Sequence, residues 1–139
     1  MSVQKTIGST GGSIDYPSSG DYEIHIRFYA GKLQNNTVVT IYDPEDGHDV
    51  QQRDTASRYV RVTTSKTINT SGYYDVYIRY DPAYEGSRSD LQVYTTNVVE
   101  DNDPGVWTPA PTRLDGVSAK MGGKFTTPTI RGFQVMKPT

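Results

Sequence analysis

Ser71-Gly72-Tyr73-Tyr74-Asp75-Val76-Tyr77-Ile78-Arg79-Tyr80 decides the fold, because it repeats Ser19-Gly20-Asp21-Tyr22-Glu23-Ile24-His25-Ile26-Arg27-Phe28. Ser, Gly, Tyr, Ile and Arg stand at matching positions, acid matches acid, and Phe matches Tyr. The offset of 52 persists downstream, where Thr37, Val39, Ile41 and Tyr42 fall on Ser89, Leu91, Val93 and Tyr94. Self-similarity at a fixed offset describes architecture: one small unit is used twice.

Within each copy the apolar positions alternate. Tyr22, Ile24, Ile26 and Phe28 oppose Glu23, His25, Arg27 and Tyr29; Tyr74, Val76, Ile78 and Tyr80 oppose Tyr73, Asp75, Tyr77 and Arg79. A period of two belongs to strands with one buried and one wet face. The Ser-Gly before each run reads as the turn that launches it. Further strands are expected at 3–7, 37–42, 59–63, 66–68 and 89–95, separated by Asn, Asp, Pro and Gly clusters. No stretch carries apolar spacing of three and four over helical length. The expected fold class is all-β: an antiparallel β-sandwich, jelly-roll-like, with internal duplication into halves of about 1–50 and 51–98. Tyr22, Ile24, Ile26, Phe28, Val76, Ile78, Leu91 and Val93 are the expected core.

The chain of 139 residues fits one domain and has no cysteine, which excludes disulfides and thiolate metal sites. No apolar run opens it, so the expectation is a protein made in the cytoplasm without a signal peptide or membrane span. Eleven tyrosines against three phenylalanines is the main bias. Most are accounted for by sheet packing, but Tyr29, Tyr73 and Tyr77 fall on the expected wet face, where a ring with a polar tip suits contact with a ligand.

The character of the chain changes near Val99. Residues 104–139 hold five of the eight prolines and five glycines, with single apolar residues between them. Residues 1–103 carry nine Lys and Arg against fifteen Asp and Glu, a net of −6. Residues 104–139 carry five against one, a net of +4. The expected layout is a sandwich over 1–103 and an extended basic arm over 104–139, ending in one strand near 129–136. Such an arm must dock on its own body or on a neighbour, since its anchors are too sparse to offset its ordering entropy. Its candidate partner-binding anchors are Trp107, Leu114, Met121, Phe125, Ile130, Phe133 and Val135, with Arg113, Lys120, Lys124 and Arg131 as the steering charges.

Catalytic signatures are absent: there is no H-E-x-x-H, no G-x-S-x-G and no P-loop, and His25 and His48 are the only histidines. The expectation is a non-enzyme with no cofactor. The acidic stretches 43–49 and 100–103 read first as solvated turns; calcium, which wants several oxygen ligands, is the alternative, although neither has EF-hand spacing. A body at net −6 would repel phosphates, which argues against nucleic acid.

Two resemblances follow. The Gly-x-Tyr-x-Val-x-Ile-Arg-Tyr run of Gly72 to Tyr80, seen again from Gly20 to Phe28, resembles the strand signature of bacterial carbohydrate-binding jelly-rolls. It implies a lectin-like sandwich, with Tyr29, Tyr73 and Tyr77 as the glycan-stacking residues that the wet-face reading adds. The leaderless, cysteine-free, Thr/Tyr/Asp/Gly-rich sandwich with a Pro/Gly-rich terminal arm is similar to small bacteriophage virion proteins of the decoration, cement or fibre type. That likeness implies a structural protein in the virion, bound through its arm to capsid or tail subunits or to copies of itself as a homo-oligomer. The virion reading is the first expectation here because it accounts for the arm; glycan binding is the alternative.

Overall fold

A computed structural model describes residues 2–46, 53–87, 89–96, 107–114, 119–129 and 132–137. Among the described residues twelve strands are formed: β1 Val3–Ile7, β2 Gly12–Tyr16, β3 Ile24–Phe28, β4 Thr37–Ile41, β5 Asp54–Thr55, β6 Val60–Thr64, β7 Tyr74–Arg79, β8 Gln92–Thr96, β9 Thr108–Pro109, β10 Thr112–Leu114, β11 Lys120–Phe125 and β12 Gly132–Lys137. The one helical element among the described residues is a 3-10 turn at Pro82–Ser87. The strands make two antiparallel sheets packed face to face, a β-sandwich. One sheet runs β1-β4-β6-β12-β8-β9, with β5 added beside β12; the other runs β10-β11-β7-β3-β2.

The repeat lies at the centre of the five-stranded sheet. β3 and β7 pair antiparallel with Ile24 opposite Ile78, His25 opposite Tyr77 and Ile26 opposite Val76. His25 therefore faces the residue 52 positions further on, and the ladder runs symmetrically about that pair. Both launching glycines hold the left-handed backbone that a side chain disfavours, φ 78° at Gly20 and 73° at Gly72. Period two does the rest. Ile24, Ile26, Phe28, Tyr74, Val76, Ile78 and Tyr80 are buried, joined by Leu91 and Val93 from the second half of the repeat. Tyr22 departs from the expected core: it is half-buried and lies against His25 on the outer face.

Residues 104–139 differ from the expected arm. β12 is inserted between β6 and β8, pairing Phe133 with Val60 on one side and with Thr95 on the other. β11 pairs with β7 along six residues, and β10 extends the same sheet beyond it. The halves are therefore not residues 1–50 and 51–98. β3 takes its outer neighbour from the chain before it, whereas β7 takes its neighbour from the C-terminal segment. Phe125 of one sheet meets Phe133 of the other edge-on, with ring centroids 4.9 Å apart, so the segment supplies both sides of the core.

The glycines that made β11 look broken are close-approach positions. A Cβ at Gly122 would come within 2.4 Å of the Tyr77 ring, and one at Gly123 within 2.9 Å of Val93. The expected strand at 66–68 does not form, although Ile68 is buried.

Candidate functional site

The outer face of the five-stranded sheet is built by the outward half of each alternating run. β2 contributes Ser13 and Asp15, β3 contributes His25 and Arg27, β7 contributes Asp75 and Tyr77, and β11 contributes Lys120, Gly122 and Lys124. Tyr29 and Tyr73 flank the β3–β7 ladder at one end. Their rings meet edge-on at 5.5 Å and 76°. Tyr73, 38 % exposed, is the one large hydrophobic side chain on the open surface among the described residues. At mid-sheet His25 lies 5.9 Å from the Tyr77 ring and 5.3 Å from that of Tyr22.

These rings are braced from below. The Tyr29 hydroxyl donates to the carboxylate of Asp75, a residue 1 % exposed. Lys32, only 3 % exposed, donates from Nζ to the carbonyls of Ser71 and Gly72 at 3.0 and 2.9 Å, which fixes the turn that presents Tyr73. Burial holds the Lys32 ammonium below its usual range. Arg27 stands 4.9 Å over the Tyr29 ring and Lys124 stands 4.5 Å over the Tyr73 ring. Asp15 is engaged by His25 Nδ1.

Two cavities open on this end of the face. One, about 230 Å³, is lined by Tyr29, Ala30, Lys32, Ser71, Gly72 and Tyr73. The other, about 500 Å³, is lined by residues 10–13, His25, Arg27, Phe28, Tyr29 and Ala30. They share Tyr29 and Ala30, so they adjoin along one groove. A third cleft of about 520 Å³ sits at the strand ends, between the 17–23 loop, 55–58 and 79–82. It is lined by Asp21, Glu23, Asp46, Asp81, Arg58 and Arg79 among others. Arg58 spans it to Glu23, with Nε 2.7 Å from Oε2.

The residues singled out as arm anchors are placed differently. Met121, Phe125, Phe133 and Val135 are core residues of their own chain, 4 % exposed or less. Trp107 is 2 % exposed and packs edge-on against Tyr59 at 5.7 Å, in a cluster with Tyr94 and Met136 on the outer face of the seven-stranded sheet. Lys120 is nearly buried, its Nζ 4.4 Å over the Tyr22 ring. Arg113 and Leu114 belong to β10 by backbone, but their side chains lie outside the described residues, as do Ile130 and Arg131 entirely. Tyr29, Tyr73 and Tyr77 are brought together on one face. Sequence reasoning missed Lys32 and Lys124 as parts of that face. The position of Lys124, one residue before Phe125 in an alternating strand, was the available signal.

Among the described residues no group of three or more His, Asp or Glu side chains is placed to hold a metal ion, and no helix is long and apolar enough to cross a membrane. Of the acidic stretches considered for calcium, 43–46 is described and 47–49 and 100–103 lie outside the described residues. No family model matches the chain, and no curated protein matches it.

Proposed function

We propose that the protein is a non-enzymatic carbohydrate-binding β-sandwich whose recognition surface is the outer face of the five-stranded sheet. The observation that carries this reading is the braced aromatic pair Tyr29–Tyr73, with Tyr73 exposed and Tyr29 half-buried beside a groove, continued along the sheet by Tyr77. A sugar ring offers an axial C–H face to an aromatic ring and hydroxyls to the polar groups around it. Tyrosine meets both needs with a flat apolar body and a polar tip. The brace matters because a ring already held in place loses little freedom when a ligand binds. Asp75 and Lys32 supply that brace.

The reading as a virion component rested on a free C-terminal arm. With β11 and β12 inside the sheets, that arm is not available as the contact, and the likeness in composition is what remains of it. A capsid or tail partner, or a second copy, would have to use another surface.

The test is a glycan array and affinity electrophoresis with the full chain, run with and without calcium. Retention by at least one glycan, lost in Tyr73→Ala and Tyr29→Ala, is the expected result. No signal in either condition removes the proposal.

A further inference from the structure

We infer that the glycan this face selects is acidic, a polymer bearing uronate or similar carboxylate sugars, with the carboxylate placed between Arg27 and Lys124 at the Tyr29–Tyr73 end. This rests on the carbohydrate reading above and narrows it by charge. The body of the chain is acidic, which makes the local sign the informative feature. Neither of the two adjoining cavities has an Asp or Glu among its lining residues, whereas Arg27, His25 and Lys32 line them. Asp75 lies in register between Arg27 and Lys124, buried beneath the Tyr29 hydroxyl, so two cations face one buried carboxylate, and Asp15 is held by His25.

The cations are carried by the rings that would stack on the sugar. Arg27 over Tyr29 and Lys124 over Tyr73 place a positive group at 4.9 and 4.5 Å from the two ring centres. Because Lys124 stands over one face of the Tyr73 ring, a pyranose packs on the part of that ring left open and brings its carboxylate to the cation. The smaller cavity, about 230 Å³, falls below the ~300–1,000 Å³ of drug-sized pockets and suits a single ring or substituent. The larger one beside it leaves room for the next residue of a chain. The cleft at the strand ends makes the opposite case. Its lining includes four carboxylates, and Glu23 already takes the Arg58 guanidinium, so an acidic polymer is disfavoured there.

The experiment uses the intact chain and its Arg27→Gln, Lys124→Gln and Tyr73→Ala variants, each matched to the parent by urea midpoint. Probes are polygalacturonate, a neutral polymer such as dextran or galactan, and oligothymidylate as a polyanion without sugar acids. Expected is binding to polygalacturonate that weakens as salt rises. Arg27→Gln or Lys124→Gln should weaken it roughly tenfold or more, as loss of a charge-assisted hydrogen bond does. Dextran and oligothymidylate should bind at least about tenfold more weakly than polygalacturonate. Equal binding of neutral and acidic polymers, unchanged in the two Gln variants, overturns the charge selection and leaves the carbohydrate reading standing. Oligothymidylate binding as tightly as polygalacturonate also overturns it, since the face would then take any polyanion. No binding of any sugar polymer removes both readings together.

Discussion

Each sheet lays a tyrosine across a glycine on its outer face, and the two faces then diverge. On the seven-stranded sheet, a Cβ at Gly132 would come within 2.3 Å of the Tyr59 ring; on the five-stranded sheet, one at Gly122 would come within 2.4 Å of Tyr77. Over Tyr59 the chain returns and sets Trp107 edge-on, with Tyr94 and Met136 closing the cluster and Arg53 standing 4.7 Å over the Tyr94 ring. Over Tyr77 and Tyr73 no returning segment packs among the described residues; Lys124 stands over the Tyr73 ring and His25 lies beside Tyr77, and Tyr73 keeps 38 % of its surface. An aromatic residue on a wet face is thus not in itself a binding feature. What separates stabilising packing from a presented surface is whether another stretch of the chain covers the rings.

The comparison breaks most completely if the covering segment is dispensable. Deleting residues 104–139 removes β9 to β12 and takes Met121, Phe125, Phe133 and Val135 from the core. The expected outcome is loss of cooperative unfolding in urea and of the native far-UV spectrum. A truncated chain that still unfolds in one sharp transition would show that the segment is an appendage after all.

Single substitutions come next. Trp107→Ala should cost about 3–5 kcal/mol and Ile26→Ala about 2–5 kcal/mol, the range for large buried side chains. Urea midpoints read both directly. A midpoint unmoved by Trp107→Ala would mean that the capped face is not capped.

The two glycines give a sharper contrast. Gly132→Ala forces a methyl against Tyr59, which is pinned under Trp107, and should cost about 1–3 kcal/mol. Gly122→Ala meets Tyr77, which is half-buried where Tyr59 is buried under Trp107, and should cost less, about 1 kcal/mol. Equal costs at the two sites would erase the distinction between a closed and an open face. The smallest stability effect is expected for Tyr73→Ala, within about 0.5 kcal/mol of the parent. That variant should unfold like the parent and still lose glycan retention. A large drop in its midpoint would show that Tyr73 serves packing.

The repeat was legible because its consequences are local. Alternation places Ile24, Ile26, Val76 and Ile78 on one face whatever the strands pair with, and the Ser-Gly turns need their left-handed glycines in any topology. The strands β10 and β11 were not legible. Their prolines and glycines signal breaks when read locally, while the reason for Gly122 and Gly123 lies in rings and branched side chains from other strands. The candidate site was half visible. Tyr29, Tyr73 and Tyr77 followed from parity alone, whereas Lys124 joined them only through the pairing of β11 with β7, and Lys32 only through the turn at Ser71–Gly72.

By itself, then, the sequence determined that this is an all-β chain built on a doubled strand, which residues of that strand turn inward, and which tyrosines turn outward. Those are properties of period two and of steric limits on φ, and they act over a few residues. Only the tertiary structure decided that the basic, proline-rich C-terminal segment completes both sheets, that Trp107 closes one face, and that on the other face, among the described residues, cations rather than a returning segment stand over the rings. Strand order, register between distant segments and the covering of a face are set by which apolar surfaces can be buried together. That sum runs over the whole chain, so no local pattern in residues 104–139 could carry it.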